Sequence, residues 1–254
     1  MKTKTLLSIA AAALLYGLII YAPAATLHRW FGAQGDASGV EYYGIEGTLA
    51  SGRVAAVTVR GRTVLSDLQW TFKPLWLLLG QRVFTLSGGG EQARVEARLR
   101  LTPTGALAVG NSHASLRMKD LLSAAGQNYL PLDGQIELNL DSLKLKANRF
   151  SALEGTAQVR GLAWTLAKDP LLLGDFEAKA TTEKDVMQIA LQSTSGPIEV
   201  QGSITLAADQ GYQVNLQYRA KPQADPILRN LISSAGPPDA QGWTHYRTQG
   251  RLAP

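Results

Sequence analysis

The strongest constraint on the fold is an alternation of apolar and polar residues that recurs along most of the chain. Residues 93–101 read ARVEARLRL, so four apolar side chains from Val95 to Leu101 share one side and the charged ones share the other. The same period of two recurs in residues 135–140, 142–146, 199–207 and 212–220. One-sided alternation is typical of antiparallel strands with one wet face and one buried face. The sequence therefore predicts an all-β, mainly antiparallel fold.

Turn residues and two short helical segments separate the predicted strands. Turns are expected at residues 103–105 (PTG), 133–134 (DG) and 208–211 (ADQG). Residues 119–125 and 225–235 predict short helices. In the second of these, Asp225 is placed as the N-cap and Pro226 at the first helical position.

The N-terminus predicts a membrane segment. Lys2 and Lys4 precede a run without charge from Thr5 to Leu27. As a helix this run is about 34 Å long, against a hydrocarbon core of about 30 Å. We expect an n-region at residues 1–5, a single transmembrane signal-anchor at residues 6–27 and a linker at residues 28–39. The membrane-contacting residues are expected to be Leu6, Leu7, Ile9, Leu14, Leu15, Leu18, Ile19 and Ile20.

The charge before this segment sets the predicted orientation. Positive residues stay in the cytoplasm, so the N-terminus is expected there and everything after the segment is expected in the periplasm. Ala22-Pro23-Ala24 also fits a cleavage site, with a cut at Ala24-Ala25. The apolar run exceeds the roughly 7–15 residues of a signal peptide, which favours an uncleaved anchor.

A repeated phrase predicts an internal duplication. Residues 68–80 (LQWTFKPLWLLLG) and 162–174 (LAWTLAKDPLLLG) share seven of thirteen positions. Other landmarks recur in the same order about 100 residues apart, including LLSAAG at 121–126 and LISSAG at 231–236. We expect two related β-lobes, at residues 40–131 and 132–254, that form one continuous curved sheet or paired sandwiches. Trp70, Gly80, Trp164 and Gly174 are the predicted structural landmarks of the repeat.

No catalytic or metal-binding pattern stands out, and the sequence predicts a protein that is not an enzyme and needs no cofactor. The chain has no cysteine, and its three histidines lack metal-ligand spacing. The net charge is +5, but the arginines of residues 94–100 alternate with apolar residues as on the wet face of a strand. We therefore expect no nucleic-acid partner. Trp76 and Arg98 are the candidate contacts with a partner.

These landmarks resemble the type II secretion system protein N family, also called general secretion pathway protein N. The resemblance is carried by the basic N-terminus and apolar anchor, by Trp70, by residues 78–80 (LLG), by Gly155 and Trp164, and by residues 196–199 (GPIE) and 231–236. It implies a single-pass protein of the Gram-negative inner membrane with a periplasmic β-rich domain. Such proteins are accessory parts of the machinery that exports folded proteins, and the implied partners are inner-membrane and secretin subunits. The resemblance supplies no catalytic residues.

An alternative function follows from the same amphipathic strands. Anchored periplasmic proteins of the AsmA-like kind use such strands to form an apolar groove that binds or transfers lipid. That hypothesis predicts a continuous groove lined by Val95, Leu99, Leu138, Leu140, Val200 and Ile204. A secretion component with no lipid partner would instead bury these side chains between sheets.

Overall fold

A computed structural model describes most of the chain beyond the N-terminus. The described residues are 23–24, 40–59, 61–73, 81–90, 93–102, 106–124, 126–127, 129–146, 149–166, 169–234 and 236–251. The predicted n-region, anchor and linker lie outside them, except for Pro23 and Ala24. None of the helices in the described ranges is both long enough and apolar enough to cross a membrane.

The described strands form one open antiparallel sheet. Thirteen strands follow one another in chain order, and each pairs only with its neighbours in sequence. Their bounds are β1 Val40–Gly47, β2 Ser51–Val59, β3 Arg62–Lys73, β4 Arg82–Gly89, β5 Arg94–Leu101, β6 Leu107–Arg117, β7 Leu132–Lys146, β8 Arg149–Trp164, β9 Leu171–Glu183, β10 Val186–Ser195, β11 Ile198–Leu206, β12 Gly211–Ala220 and β13 Thr244–Arg251. This confirms the predicted antiparallel β class, and of the two predicted architectures it is the single continuous sheet rather than paired sandwiches.

Two short helices interrupt the strand order. Helix α1 (Met118–Ala124) follows β6, and helix α2 (Pro226–Ser234) follows β12. Each helix thus closes a run of six strands, and β7 begins at Leu132. The division into two lobes remains a prediction. If it holds, each lobe contains six consecutive strands and the helix that follows them.

The antiparallel order gives the sheet two ends, which we name by their connections. The near end holds the turns β1–β2, β3–β4, β5–β6, β7–β8, β9–β10 and β11–β12. It is the end at which Pro23 pairs with Thr48. The far end holds the remaining connections, so both α1 and α2 lie there.

Strand β7 differs from its prediction. Residues 135–140 and 142–146 were expected as separate strands after a turn at Asp133-Gly134, but they form one strand of 15 residues. The pairing with β8 shifts between Asp133 and Gln135 and again between Leu140 and Ser142. A bulge inserts an extra residue and restarts the alternation, which is why one strand carries two phases of the pattern.

A cluster of buried apolar residues lies beneath α2. Ile198, Ala224 and Leu228 are buried together, and Leu173, Val200, Ala220 and Ile232 pack against them. Helix α2 begins as the sequence predicts, because the backbone N–H of Ile227 donates to Asp225 Oδ1 at 2.8 Å. An N-cap aspartate satisfies a donor that the helix itself leaves unpaired.

Replacing Leu228, which is 4% exposed, should therefore destabilise the far end of the sheet. Leu228→Ala removes a buried side chain and leaves a cavity, and we expect it to lower the free energy of unfolding by about 2–4 kcal/mol. Urea unfolding of the full-length chain in detergent measures this change. Leu231→Ala on the same helix is the matched control, because Leu231 is 49% exposed. Equal losses from the two variants would contradict the position of the core.

Candidate functional site

One face of the sheet is apolar across ten strands. The strand register connects directly paired residues into a single row that crosses from β4 to β13. Its members are Gly88, Val95, Ala114, Leu138, Ala157, Ala178, Leu191, Gly202, Leu216 and Tyr246. We call the side that carries this row the apolar face.

The opposite side is polar in the same register. The row one residue along contains Glu96, His113, Asn139, Thr156, Lys179, Ala190, Ser203, Asn215 and Arg247. We call this side the polar face. Side chains on the polar face form hydrogen bonds with one another, such as the one between His113 Nδ1 and Asn139 Oδ1 at 2.7 Å. Because neighbouring residues on a strand point to opposite sides, the two rows define the two faces.

A cavity of about 440 Å³ lies on the apolar face, and its accessible lining is apolar. We call it the central cavity. Its lining extends from Val95 on β5 to Ile189 on β10. Small residues, among them Ala114, Ala157 and Ala178, line its middle. Side chains of this size leave space above the sheet that larger ones would fill.

The central cavity shows that the sheet curls toward its apolar face. Strands β5 and β10 are five strand spacings apart, which is about 24 Å in a flat sheet. Residues from both strands nevertheless line one cavity. Large open sheets rarely exceed about ten strands without curling. Register shifts between β5 and β6, β7 and β8, and β9 and β10 supply local bends.

A second apolar cavity continues the groove toward the far end. It measures about 410 Å³, and Val159, Phe176 and Leu191 line it together with Ile232 of α2. Strands β8, β9 and β10 contribute to both cavities. The groove therefore extends along the strands and reaches α2 at the far end.

At the near end, Trp70 holds the β1–β2 turn. Its Nε1 donates to the carbonyl oxygens of Thr48 at 3.1 Å and Leu49 at 3.2 Å. Its ring lies over Gly52, where an added Cβ would overlap the ring. Since Thr48 also pairs with Pro23, Trp70 braces the turn against which Pro23 lies.

A carboxylate joins three strands at the far end. Asp175 of β9 accepts hydrogen bonds from Gly161 N at 2.7 Å and from Ser195 Oγ at 2.6 Å. The Ser195 hydroxyl, then the Gly161 N–H, lower the pKa of Asp175 below its usual value. The stabilisation of the folded protein by the Asp175 carboxylate is therefore present above the unfolded-state pKa of about 3.9. It is lost as the pH falls through the lower folded-state pKa.

Gly174, the residue before Asp175, has a φ of 124° and packs against Ser195 and Gly196, as only glycine can.

The far end also exposes large apolar side chains. Tyr129 is 72% exposed and Leu166 is 70% exposed, both in far-end connections. Leu172 at the start of β9 and Ile227 and Leu231 of α2 are also exposed. Clustered apolar groups at one end of a protein are typical of a contact with another molecule. Sequence reasoning did not identify this cluster, although Tyr129 and Leu166 are large apolar residues in connections between strands.

Comparison with known protein families gives a match over most of the chain. The family described as "Type II secretion system (T2SS), protein N" matches residues 38–247. The chain belongs to this family. That makes it a component of the type II secretion machinery, which transports proteins across the cell envelope.

A curated member of the protein N family is similar over most of its length. The type II secretion system protein N of Vibrio cholerae serotype O1 is 26% identical over 228 residues, which cover 84% of this chain and 86% of the relative. No solved structure matches the chain significantly.

Of the residues predicted as landmarks of the internal repeat, the described ones lie at different ends of the sheet in this protein N sequence. Trp70 lies in β3 at the near end, whereas Trp164 ends β8 at the far end, paired with Leu132 and Leu171. The two tryptophans are half-buried but do not occupy equivalent positions in the sheet. Gly174 lies in β9, near the far end. Gly80 and Trp76 lie outside the described residues.

The residues proposed for a groove share the apolar face. Val95, Leu138 and Leu140 line the central cavity, and Val200 lines the second one. Leu99 pairs with Val109, and Ile204 pairs with Ile189, on the same face. Arg98 is exposed on the polar face of β5. In the part of the chain that the structure describes, no group of three or more acidic or histidine side chains could hold a metal ion.

The bracing role of Trp70 can be tested directly. Trp70→Phe keeps an aromatic ring over Gly52 but removes the N–H that donates to Thr48 and Leu49. We expect faster hydrogen exchange of the amides at residues 48–52, and a loss of about 1 kcal/mol in the free energy of unfolding. Hydrogen–deuterium exchange with mass spectrometry measures the first effect. Trp164→Phe is the control, and similar exchange at residues 48–52 in both variants would refute the role.

Proposed function

We propose that this protein is a non-catalytic accessory component of type II secretion, anchored in the inner membrane by residues 6–27. Its N-terminus lies in the cytoplasm, and its β-lobes at residues 40–131 and 132–254 lie in the periplasm. The family match supports the role in secretion. The basic N-terminus and the uncharged run that follows support the anchor and its orientation.

The geometry of the sheet supports a role in contacting other secretion subunits. Pro23 pairs at the near end, so the near end faces the proposed membrane and the far end points into the periplasm. Strand β8 alone has 16 residues, which span about 54 Å. The exposed apolar cluster around Tyr129, Leu166 and Leu172 is therefore presented far from the bilayer. This cluster is the observation that carries the proposed interaction with the inner-membrane and secretin subunits of the machinery.

A lipid-binding function is a second candidate, and the apolar groove specifically favours it. A component that only contacts proteins has no need for an apolar cavity of about 440 Å³ on one side of an open sheet. The two functions are compatible, because the groove and the far-end cluster use different surfaces of the molecule.

The proposed orientation predicts the accessibility of single cysteines. The chain contains no cysteine, so one introduced thiol is unique. Arg98→Cys, on the exposed polar face, should react with a membrane-impermeant maleimide once the outer membrane is permeabilised. Lys4→Cys should react only after the inner membrane is also opened. The opposite pattern would refute the periplasmic placement of the sheet.

The proposed contact predicts a secretion defect. Leu166→Asp combined with Leu172→Asp places two charges in the far-end cluster, and buried charge strongly disfavours an apolar interface. In cells that depend on this protein, we expect at least about a tenfold fall in exoprotein released to the medium, because each lost apolar contact weakens binding by one to several kcal/mol. The amount of exoprotein in the medium and in the periplasm is measured by immunoblotting.

The control for this variant is Gln188→Asp combined with Gln213→Asp on the exposed polar face of β10 and β12. It adds the same two charges away from the far end, and it should secrete normally. Thermal unfolding of both variants checks that the sheet is intact. Normal secretion by the far-end variant would exclude the cluster as a contact.

A further inference from the structure

The near end of the sheet combines an apolar face with a run of positive strand ends. Between β3 and β8, Lys73, Arg82, Arg100 and Lys144 each lie within two residues of a strand terminus at this end. Lys146 and Arg149 are themselves the terminal residues of β7 and β8. No aspartate or glutamate occupies these strand ends, in residues 70–73, 81–84, 98–102, 106–109, 143–146 and 149–152.

From this juxtaposition we propose that the groove binds the acyl chains of an anionic membrane phospholipid whose headgroup lies on the basic strand ends. The direction of entry rests on the proposed anchoring of residues 6–27 in the bilayer. The apolar lining and the charge distribution do not depend on it.

The acyl part of the site is defined by the cavity. Its lining offers no exposed polar group, and three alanines lie in the middle of the apolar face: Ala114 on β6, Ala157 on β8 and Ala178 on β9. A hydrocarbon chain needs no hydrogen-bond partner, whereas a peptide segment would bring backbone N–H and C=O groups that this lining cannot satisfy. Lipid is therefore the occupant that the chemistry of the cavity favours.

The headgroup part of the site is defined by charge. Lys73, Arg82 and Lys144 are exposed at the near end. Arg82 lies on the apolar face, because it is in phase with Gly88 on β4. Lys73, which pairs with Val83, and Lys144, which pairs with Ala108, lie at the same edge on the polar face. Lysine and arginine near a membrane surface attract anionic lipid. A lipid phosphate beside Arg82 would lie at the near-end edge of the apolar face. The acyl chains of that lipid would then extend along the strands.

The two ends of the groove differ in a way that fixes the direction of loading. Helix α2 packs on the apolar face at the far end and contributes Ile232 to the second cavity. At the near end Pro23, which belongs to the uncharged N-terminal run, pairs with Thr48. A lipid of the leaflet that faces the sheet therefore meets the basic strand ends first and α2 last.

The test uses a photo-crosslinking amino acid in the full-length chain in cells. Incorporated in place of Leu138, it lies in the central cavity, and in place of the adjacent Asn139 it lies on the polar face. After irradiation, the purified protein is analysed by mass spectrometry. We expect adducts with the mass of a phospholipid at position 138 and at least about tenfold fewer at position 139. Equal adducts at both positions, no lipid adduct at position 138, or peptide adducts there would overturn the proposal.

Filling the cavity gives an independent measurement. Ala178→Phe places a ring in the central cavity, whereas Ala190→Phe on the next strand places the same ring on the exposed polar face. Lipid capture at position 138 should fall at least about fivefold in the first variant and stay unchanged in the second. Ala157→Leu, a smaller addition to the same cavity, repeats the test if Ala178→Phe fails to fold. Unchanged capture in a folded filled variant would place the lipid elsewhere.

Charge reversal tests the headgroup. Arg82→Glu combined with Lys144→Glu should reduce the anionic share of the captured phospholipid, by about fivefold for each residue that faces an anionic surface. Lys119→Glu combined with Arg229→Glu, on the exposed surfaces of the far-end helices, is the matched control. An anionic share that does not change in the near-end variant would overturn the assignment of the headgroup.

The outcomes separate this inference from the proposed secretion function. Lipid capture with normal secretion in the far-end cluster variant would leave the lipid site in place and refute the contact. A secretion defect in that variant, with no lipid adduct at position 138, would support the contact and refute the lipid site.

Discussion

The structure depends on main-chain pairing between neighbouring strands. The register of this pairing keeps most of the large apolar side chains on one side of the sheet. Directly paired residues from Gly88 to Tyr246 form one apolar row across ten strands. A shift of one residue in a strand would move its apolar side chains to the polar face. Because the described strands form a single layer, this register replaces the packing of one sheet on another as the source of specificity.

A single layer of this kind leaves apolar surface that needs a partner. In a sandwich, two sheets cover each other, and in this protein only part of the apolar face is covered, chiefly by α2 at the far end. Curling gathers the uncovered part into the central cavity. The same architecture therefore supplies both surfaces proposed to act: a groove lined by alanine, leucine and valine, and a far end where Leu166 and Leu172 project. The proposed contact with secretion subunits and the proposed lipid site therefore lie on different parts of one sheet.

Much of this arrangement could be predicted from the sequence, because a period of two reports directly on the faces of a strand. The alternation in residues 93–101 predicted β5, and Asp225 and Pro226 predicted the start of α2. The prediction of a turn at Asp133-Gly134 was wrong, because a bulge and a turn use the same residue types. The matched phrases around Trp70 and Trp164 did not reveal that these residues lie at opposite ends of the sheet. The far-end cluster could not be predicted, because it brings together residues from different connections between strands. Which connections lie at the same end of the sheet follows from the strand order, which the alternation alone does not give.

The strict chain order of the strands has a consequence for how the protein reaches its folded state. Each strand needs only the strand made immediately before it, so every pairing joins segments that are close in the sequence. A polypeptide threaded through a translocation channel from its N-terminus can therefore add hairpins one after another while its remainder is still on the other side. No strand has to wait for a distant segment, as it would in a Greek key or a closed barrel. The order of biosynthesis and the order of assembly are then the same.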